Sequence, residues 1–131
     1  VGKKMDYRQF FVKKLGDNLR IISLHLEKWK NNGYEAFAHK ELIRIFHNIK
    51  SNAGFVDLPA IVKLAAAAEK MLDTYPVGTA ENNGLYEYTA EVFDQLLSDF
   101  NRMRKKDYGV DIATDLIERL NAKRKEGADW Q

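Results

Sequence analysis

Residues 36–58 read AFAHKELIRIFHNIKSNAGFVDL, and the fold follows from how this stretch is read. Leu42, Ile45, Phe46, Ile49, Ala53 and Val56 recur at steps of three and four. That period makes one apolar stripe on an α-helix and no alternating strand. The spacing predicts a helix from about Ala36 to Phe55. Asp57 is the expected N-cap of the next helix, because its carboxylate can take an orphan backbone N–H, and Pro59 suits the first turn.

The same period extends in both directions. Upstream, Phe11, Leu15, Leu19, Ile22, Leu26 and Trp29 predict a helix from Asp6 to Asn31, stopped at Asn32 and Gly33. Gly16 inside it costs about 1 kcal/mol relative to Ala. Downstream, Ile61, Leu64, Ala65, Ala68, Met71 and Leu72 predict a third helix ending near Tyr75, before Pro76. Residues 76–83 read as a loop. A fourth helix is expected over Gly84–Lys105, with Leu85, Tyr88, Val92, Leu96, Phe100 and Met103 facing in. Asp107, Tyr108 and Gly109 break it. A fifth is expected over Asp111–Lys125, with Ile112, Leu116, Ile117 and Leu120 inward. Four long helices joined by short loops predict an all-α, antiparallel up-down four-helix bundle with an additional C-terminal fifth helix. Residues 1–125 form the expected domain, and 126–131 a tail or the start of a linker.

Composition narrows the function. The chain has 131 residues, one domain's worth and too few for a two-lobed ATP-binding enzyme. It begins at Val1, which reads as a tag scar or an excised fragment. No apolar stretch approaches the ~20 residues of a membrane span, and the first residues lead into no signal sequence. These features fit a cytoplasmic protein. With no cysteine, thiol catalysis and cysteine metal sites are excluded. The net charge of +2 argues against nucleic acid as the main partner. Charge is nevertheless uneven: residues 1–33 carry eight bases and three acids, and residues 76–100 carry five acids and no base. No Gly-rich phosphate loop, Walker motif or kinase motif is present, and no histidine pair has ligand spacing, so neither nucleotide nor metal is expected on this chain.

The chemistry sits on the back of the second helix. At 100° per residue, His47 lies roughly 140° from the core stripe and therefore points outward. Ile43, Lys40, Lys50, Ser51 and Gly54 share its face. Imidazole has a pKa of about 6.5, so its neutral, nucleophilic form is available near pH 7. Lys50, at i+3, can reach a phosphoryl group placed on the outer ring nitrogen. Small side chains at Ser51 and Gly54 leave room for a protein that brings its own acceptor. By periodicity alone, an ordinary surface histidine on a bundle fits as well. His25, mid-way along the first helix, reads as structural, and His39 as an exposed residue of the cap region.

His47-Asn48-Ile49-Lys50-Ser51-Asn52-Ala53-Gly54, followed by Val56-Asp57-Leu58, resembles the signature of histidine-phosphotransfer (HPt) domains: His, any residue, apolar, Lys, Gly, small, Ala, Gly, then apolar-Gly-apolar. Glu69-Lys70-Met71-Leu72-Asp73 resembles the acidic-apolar segment on the family's next helix. The nearest likeness is to the N-terminal phosphotransfer domain of CheA-type chemotaxis histidine kinases, which belongs to bacterial two-component signalling. The resemblance implies that His47 is phosphorylated, that Lys50 stabilises the phosphoryl group, and that Glu69 accepts from the inner ring nitrogen. Ala65–Ala68 give the third helix a slim surface that lets Glu69 come close. Ser51 and Asp57 depart from the pattern, each standing where the family has Gly. Ala66 occupies the place of a second histidine often found in chemotaxis kinases.

The implied partners are a histidine kinase catalytic domain and a response-regulator receiver domain, with ATP and Mg²⁺ held by those partners. The expected docking face comprises Lys40, Ile43, Asn48, Ser51 and Gly54 around His47, on a monomer. The alternative is an HPt-like interaction module that binds a receiver or kinase without carrying phosphate.

Overall fold

A computed structural model describes residues 6–78 and 84–129. The end of the expected loop, 79–83, and residues 1–5, 130 and 131 lie outside the described residues. Five helices and no strand are present among the described residues: α1 (Tyr7–Asn32), α2 (Ala36–Phe55), α3 (Pro59–Thr74), α4 (Leu85–Arg104) and α5 (Thr114–Asp129). α1 packs on α2 and α4, and α3 on α2, α4 and α5, with the α2–α3 contact the most extensive.

The apolar stripes of α1, α2 and α3 meet in one core. Leu15, Ile22, Leu42, Phe46, Ile49, Ile61, Met71 and Leu72 are all but inaccessible to water. On α4, Leu85, Val92, Leu96 and Met103 are buried as expected, but Tyr88 and Phe100 are only half-buried. Thr89 and Asp99 are buried instead. Each has a local reason to tolerate it. Thr89 Oγ1 donates back to the Leu85 carbonyl at 2.7 Å, and Asp99 accepts from Gln95 Nε2 at 3.1 Å. Burial pushes the Asp99 carboxyl above its usual range, against the Gln95 bond. The glycine inside α1 is explained by packing. A Cβ on Gly16 would stand 2.9 Å from the Phe100 ring, so the cost in helix propensity is exchanged for close approach of α4.

The helix ends show where local chemistry overrides the pattern. Asp6 caps α1 by accepting from Gln9 N at 3.1 Å. Asp57 does not cap α3. Leu58 takes the N-cap position, with no side-chain cap bond, and Asp57 has φ = +57°. The chain must leave α2 and enter α3 almost at once, and Leu58 must bury its side chain. A left-handed residue at 57 achieves both, and glycine is the residue that takes this conformation most readily. Arg8 on α1 completes the turn, donating from Nε to the Val56 carbonyl and from a terminal nitrogen to the Asp57 carbonyl, both at 3.2 Å. Both carbonyls belong to the short connection between α2 and α3.

α5 starts and ends later than expected, at Thr114 and Asp129 rather than Asp111 and Lys125. Ile112 is exposed and precedes it. Residues 126–129, expected in a tail, continue the helix. Gly127 allows this: a Cβ there would fall 2.6 Å from the Tyr75 ring. Tyr75 also donates from its hydroxyl to the Lys123 carbonyl at 2.7 Å, so the end of α3 grips α5.

His39 is fully buried and is not an exposed cap-region residue. Its Nε2 lies 2.7 Å from the Leu72 carbonyl in the last turn of α3, where helical partners run out. A carbonyl only accepts, so Nε2 carries the proton and Nδ1 accepts from the Tyr34 hydroxyl at 2.6 Å. The Tyr34 oxygen in turn accepts from Gly78 N at 2.8 Å. Burial holds the His39 pKa below its ordinary 6.5, opposed by the Leu72 carbonyl and the Asp73 charge.

Two predictions follow from these ends. Replacing Asp57 by Gly removes the left-handed strain and raises stability by about 1 kcal/mol, read as a higher urea midpoint at unchanged slope. For His39 the folded pKa is depressed. Its neutral form therefore contributes stability that is complete above pH ~6.5 and lost as pH falls through the folded pKa. The melting temperature should drop between pH 7.5 and pH 5. His39→Gln should be less stable at pH 7.5 yet show a shallower drop, and an equal slope in the two proteins would disprove the assignment.

Candidate functional site

His47 projects from the outer face of α2, with its side chain 54% exposed. Its Nδ1 lies 3.0 Å from Oε2 of Glu69 on α3. The other oxygen of the same carboxylate, Oε1, pairs with Lys50 Nζ at 2.8 Å. One carboxylate therefore holds both the imidazole and the nearest cation. Glu69 is only 18% exposed, and Lys50 is half-buried.

The sequence explains how Glu69 gets there. Ala65 and Ala68 are fully buried. Such short side chains let α3 lie close against α2, and Glu69, directly after them, emerges at the rim of that seam. Burial works to raise the Glu69 pKa. Hydrogen bonding and charge from Lys50 and His47 outweigh it and hold the carboxyl below its usual range. Ionised at neutral pH, it can only accept, so the proton of the neutral ring sits on Nδ1 and the lone pair on Nε2. The unshared electrons of the imidazole are then on the nitrogen away from Glu69.

Three expected site residues are thus brought together: His47, Lys50 and Glu69. The rest line α2 around them. Lys40, Ser51 and Gly54 are exposed, while Ile43 and Asn48 are half-buried. A Cβ on Gly54 would meet nothing nearer than Val62 at 4.0 Å, so packing within the chain does not require glycine there. The Lys50–Glu69 pair was not read from the sequence, where Lys50 was matched only to a future phosphoryl group. The signal was present as opposite charges on neighbouring helices, but the α2–α3 register was needed to pair them. Also unread was a cluster of exposed rings, Tyr7, Phe10 and Phe55, at the far end of α2. Among the described residues, no group of three His, Cys, Asp or Glu is placed to hold a metal ion, and no helix is long and apolar enough to cross a membrane.

Fold and site together define an all-helical domain that displays a carboxylate-oriented imidazole on its surface. A family model for the Hpt domain matches residues 6–106, most of the chain, and the chain belongs to that family. Membership implies histidine phosphotransfer in two-component signalling, among proteins that interact with kinases and receiver domains. The matched span takes in α1 to α4 and leaves α5 beyond it. No curated protein and no solved structure matches the chain.

The tautomer is directly testable. Long-range ¹⁵N–¹H spectra at pH 8 should show His47 protonated at Nδ1 and bare at Nε2. Glu69→Gln should give a mixture, because an amide can donate as well as accept. A wild-type ring protonated mainly at Nε2 would disprove the arrangement.

Proposed function

We propose that His47 is the phosphoryl-carrying residue of a two-component relay. A histidine kinase catalytic domain places the ATP γ-phosphoryl on Nε2, and a response-regulator receiver domain then takes it onto an aspartate. ATP and Mg²⁺ belong to those partners. The observation that carries this reading is the 3.0 Å contact from Nδ1 to the Glu69 carboxylate, which leaves Nε2 as the nucleophile on an exposed ring.

Glu69 acts as a positioning residue. It fixes the tautomer and steadies the positive charge that develops on the ring as the N–P bond forms, as carboxylates do behind other catalytic imidazoles. Lys50 has two states. In the resting domain it pairs with Glu69. A phosphoryl group on Nε2 brings close to two negative charges to the surface, and Lys50 swings to meet it, which is the electrostatic part of the work. The pair it leaves is largely covered, at 32% and 18% exposure, so the new contact with the phosphoryl group must offset the loss of Glu69's cation. Lys40, Ile43, Asn48, Ser51 and Gly54 form the docking face, apolar at Ile43 and polar at the rim.

In this reading the helices form an antiparallel up-down bundle of four with α5 added against α3. The domain in this reading is also cytoplasmic and monomeric, and the resemblance of its His47–Leu58 segment to CheA-type phosphotransfer domains supports a role in bacterial chemotaxis signalling. The interaction-module alternative drew on Ser51 and Asp57. Asp57 lies in the turn after α2, ten residues past His47, so its departure bears on that turn rather than on the imidazole. Ser51 is small and exposed, and its hydroxyl is compatible with a phosphoryl oxygen.

Incubation with a cognate kinase and labelled ATP should give a label that is acid-labile and base-stable, and His47→Gln should abolish it. Label that persists in the variant, or no label on the wild type, would refute the proposal. Lys50→Ala should slow transfer to a receiver by about tenfold to a hundredfold, measured in single turnover, without unfolding the domain.

A further inference from the structure

The last turn of α3 is completed from outside its own helix. The donor due to the Leu72 carbonyl is the backbone nitrogen four residues on, which belongs to Pro76 and carries no hydrogen. That turn holds no basic residue, and Leu72 is fully buried, so neither a local cation nor water takes the carbonyl. His39 on α2 does, with Nε2 at 2.7 Å. The Tyr34 hydroxyl, 2.6 Å from Nδ1, keeps the proton on the nitrogen that faces α3. The same end of α3 is tied to α5 through the Tyr75 hydroxyl and the Lys123 carbonyl, at 2.7 Å.

The His39–Leu72 and His47–Glu69 bonds cross one seam. On α2, His39 and His47 are eight residues apart, about 12 Å along the axis. On α3, Glu69 and Leu72 are three residues apart, about 4.5 Å. The carboxylate and the carbonyl thus sit within one turn of the same helix, and what fixes one fixes the other.

Of the two partners of Glu69, the ring is the less able to follow it. The contact from Nδ1 is 3.0 Å, and such a bond is gone by about 3.6 Å. Lys50, at 2.8 Å from the other oxygen, has a long flexible stem and moves with the carboxylate. A small displacement of the end of α3 therefore keeps the ion pair and loses the bond that sets the His47 tautomer.

We infer that His39 is a positioning residue for the phosphoryl transfer: it holds the last turn of α3 where Glu69 meets Nδ1 of His47. This rests on the proposed role of His47 and deepens it. His39 touches neither the phosphoryl group nor the reacting ring and acts through α3 and Glu69. The position asks for a donor on one side and an acceptor on the other, which a neutral imidazole supplies on a rigid frame.

The test uses the full chain labelled with ¹⁵N at pH 8, with potassium phosphoramidate as the phosphoryl donor. In that reaction the P–N bond of the reagent breaks as Nε2–P forms, ammonia leaves, and Nδ1 keeps its proton against Glu69. His39→Leu keeps most of the volume and loses the N–H. In it the His47 ring should pass from Nδ1–H to a mixture of tautomers, and its phosphorylation should slow about tenfold. His39→Gln, whose amide N–H can serve the Leu72 carbonyl, should restore the tautomer and bring the rate within about threefold of wild type, at a lower melting temperature. Tyr34→Phe weakens the same network but spares the bond to Leu72, and should leave tautomer and rate as in the wild type while lowering the melting temperature. Loss of stability alone does not produce this pattern. A folded His39→Leu with unchanged tautomer and rate would overturn the inference and leave the role of His47 standing. If His39→Leu does not fold, His39→Gln decides, and a mixed tautomer there would overturn the inference. A wild-type ring protonated at Nδ1 yet never phosphorylated would overturn the role of His47 and this inference with it.

Discussion

The close seating of α3 on α2 is the constraint from which the site follows. Alanines at 65 and 68 keep that face of α3 slim, and Glu69 comes directly after Ala68. Were a larger side chain to sit at Ala65 or Ala68, the seam would open, and a carboxylate that now touches both His47 and Lys50 would reach neither. The cost of burying Glu69 is met locally, by one cation and one ring N–H. The charge therefore survives at the edge of an apolar seam, where it can set the tautomer of its neighbour.

That arrangement separates two requirements. The carboxylate must be dry enough to be directional, and the imidazole must be wet enough to be reached. Placing them on different helices satisfies both, since Glu69 is four-fifths covered while His47 is half exposed. A pair on a single helix at i, i+4 would leave both residues similarly exposed. Family membership and the geometry agree on the chemical class, because phosphoryl transfer through histidine asks a small domain for little beyond position and electrostatics.

Much of this was legible in the sequence, and the failures are specific. The cores of α1, α2 and α3 followed from the 3.6-residue period, as did the outward azimuth of His47. The period did not reveal that Thr89 and Asp99 are buried, because each is satisfied by a bond within its own helix that hydropathy does not record. His39 was misread for a related reason. Its burial depends on a carbonyl of α3 and a tyrosine hydroxyl, both outside its own helix. Asp57 has a cap-forming side chain, but here the backbone needed a positive φ more than the next helix needed a cap. The end of α5 was placed too early because residues 126–131 carry no apolar period, and the packing of Gly127 against Tyr75 exists only in three dimensions.

His39 and Arg8 mark the two ends of α2. Near its start, the buried His39 is tied to the last turn of α3 and, through Tyr34, to Gly78. At its finish, Arg8 reaches over from α1 to hold the carbonyls of Val56 and Asp57. Polar contacts of fixed direction thus prevent α2 from sliding along its axis or rolling about it, which apolar packing alone resists less selectively. His47 stands near the middle of this doubly moored rod, eight residues from one anchor and nine from the other. A visiting protein consequently meets the imidazole at a set height and heading. Little of its association energy is spent ordering the helix that carries the reactive nitrogen.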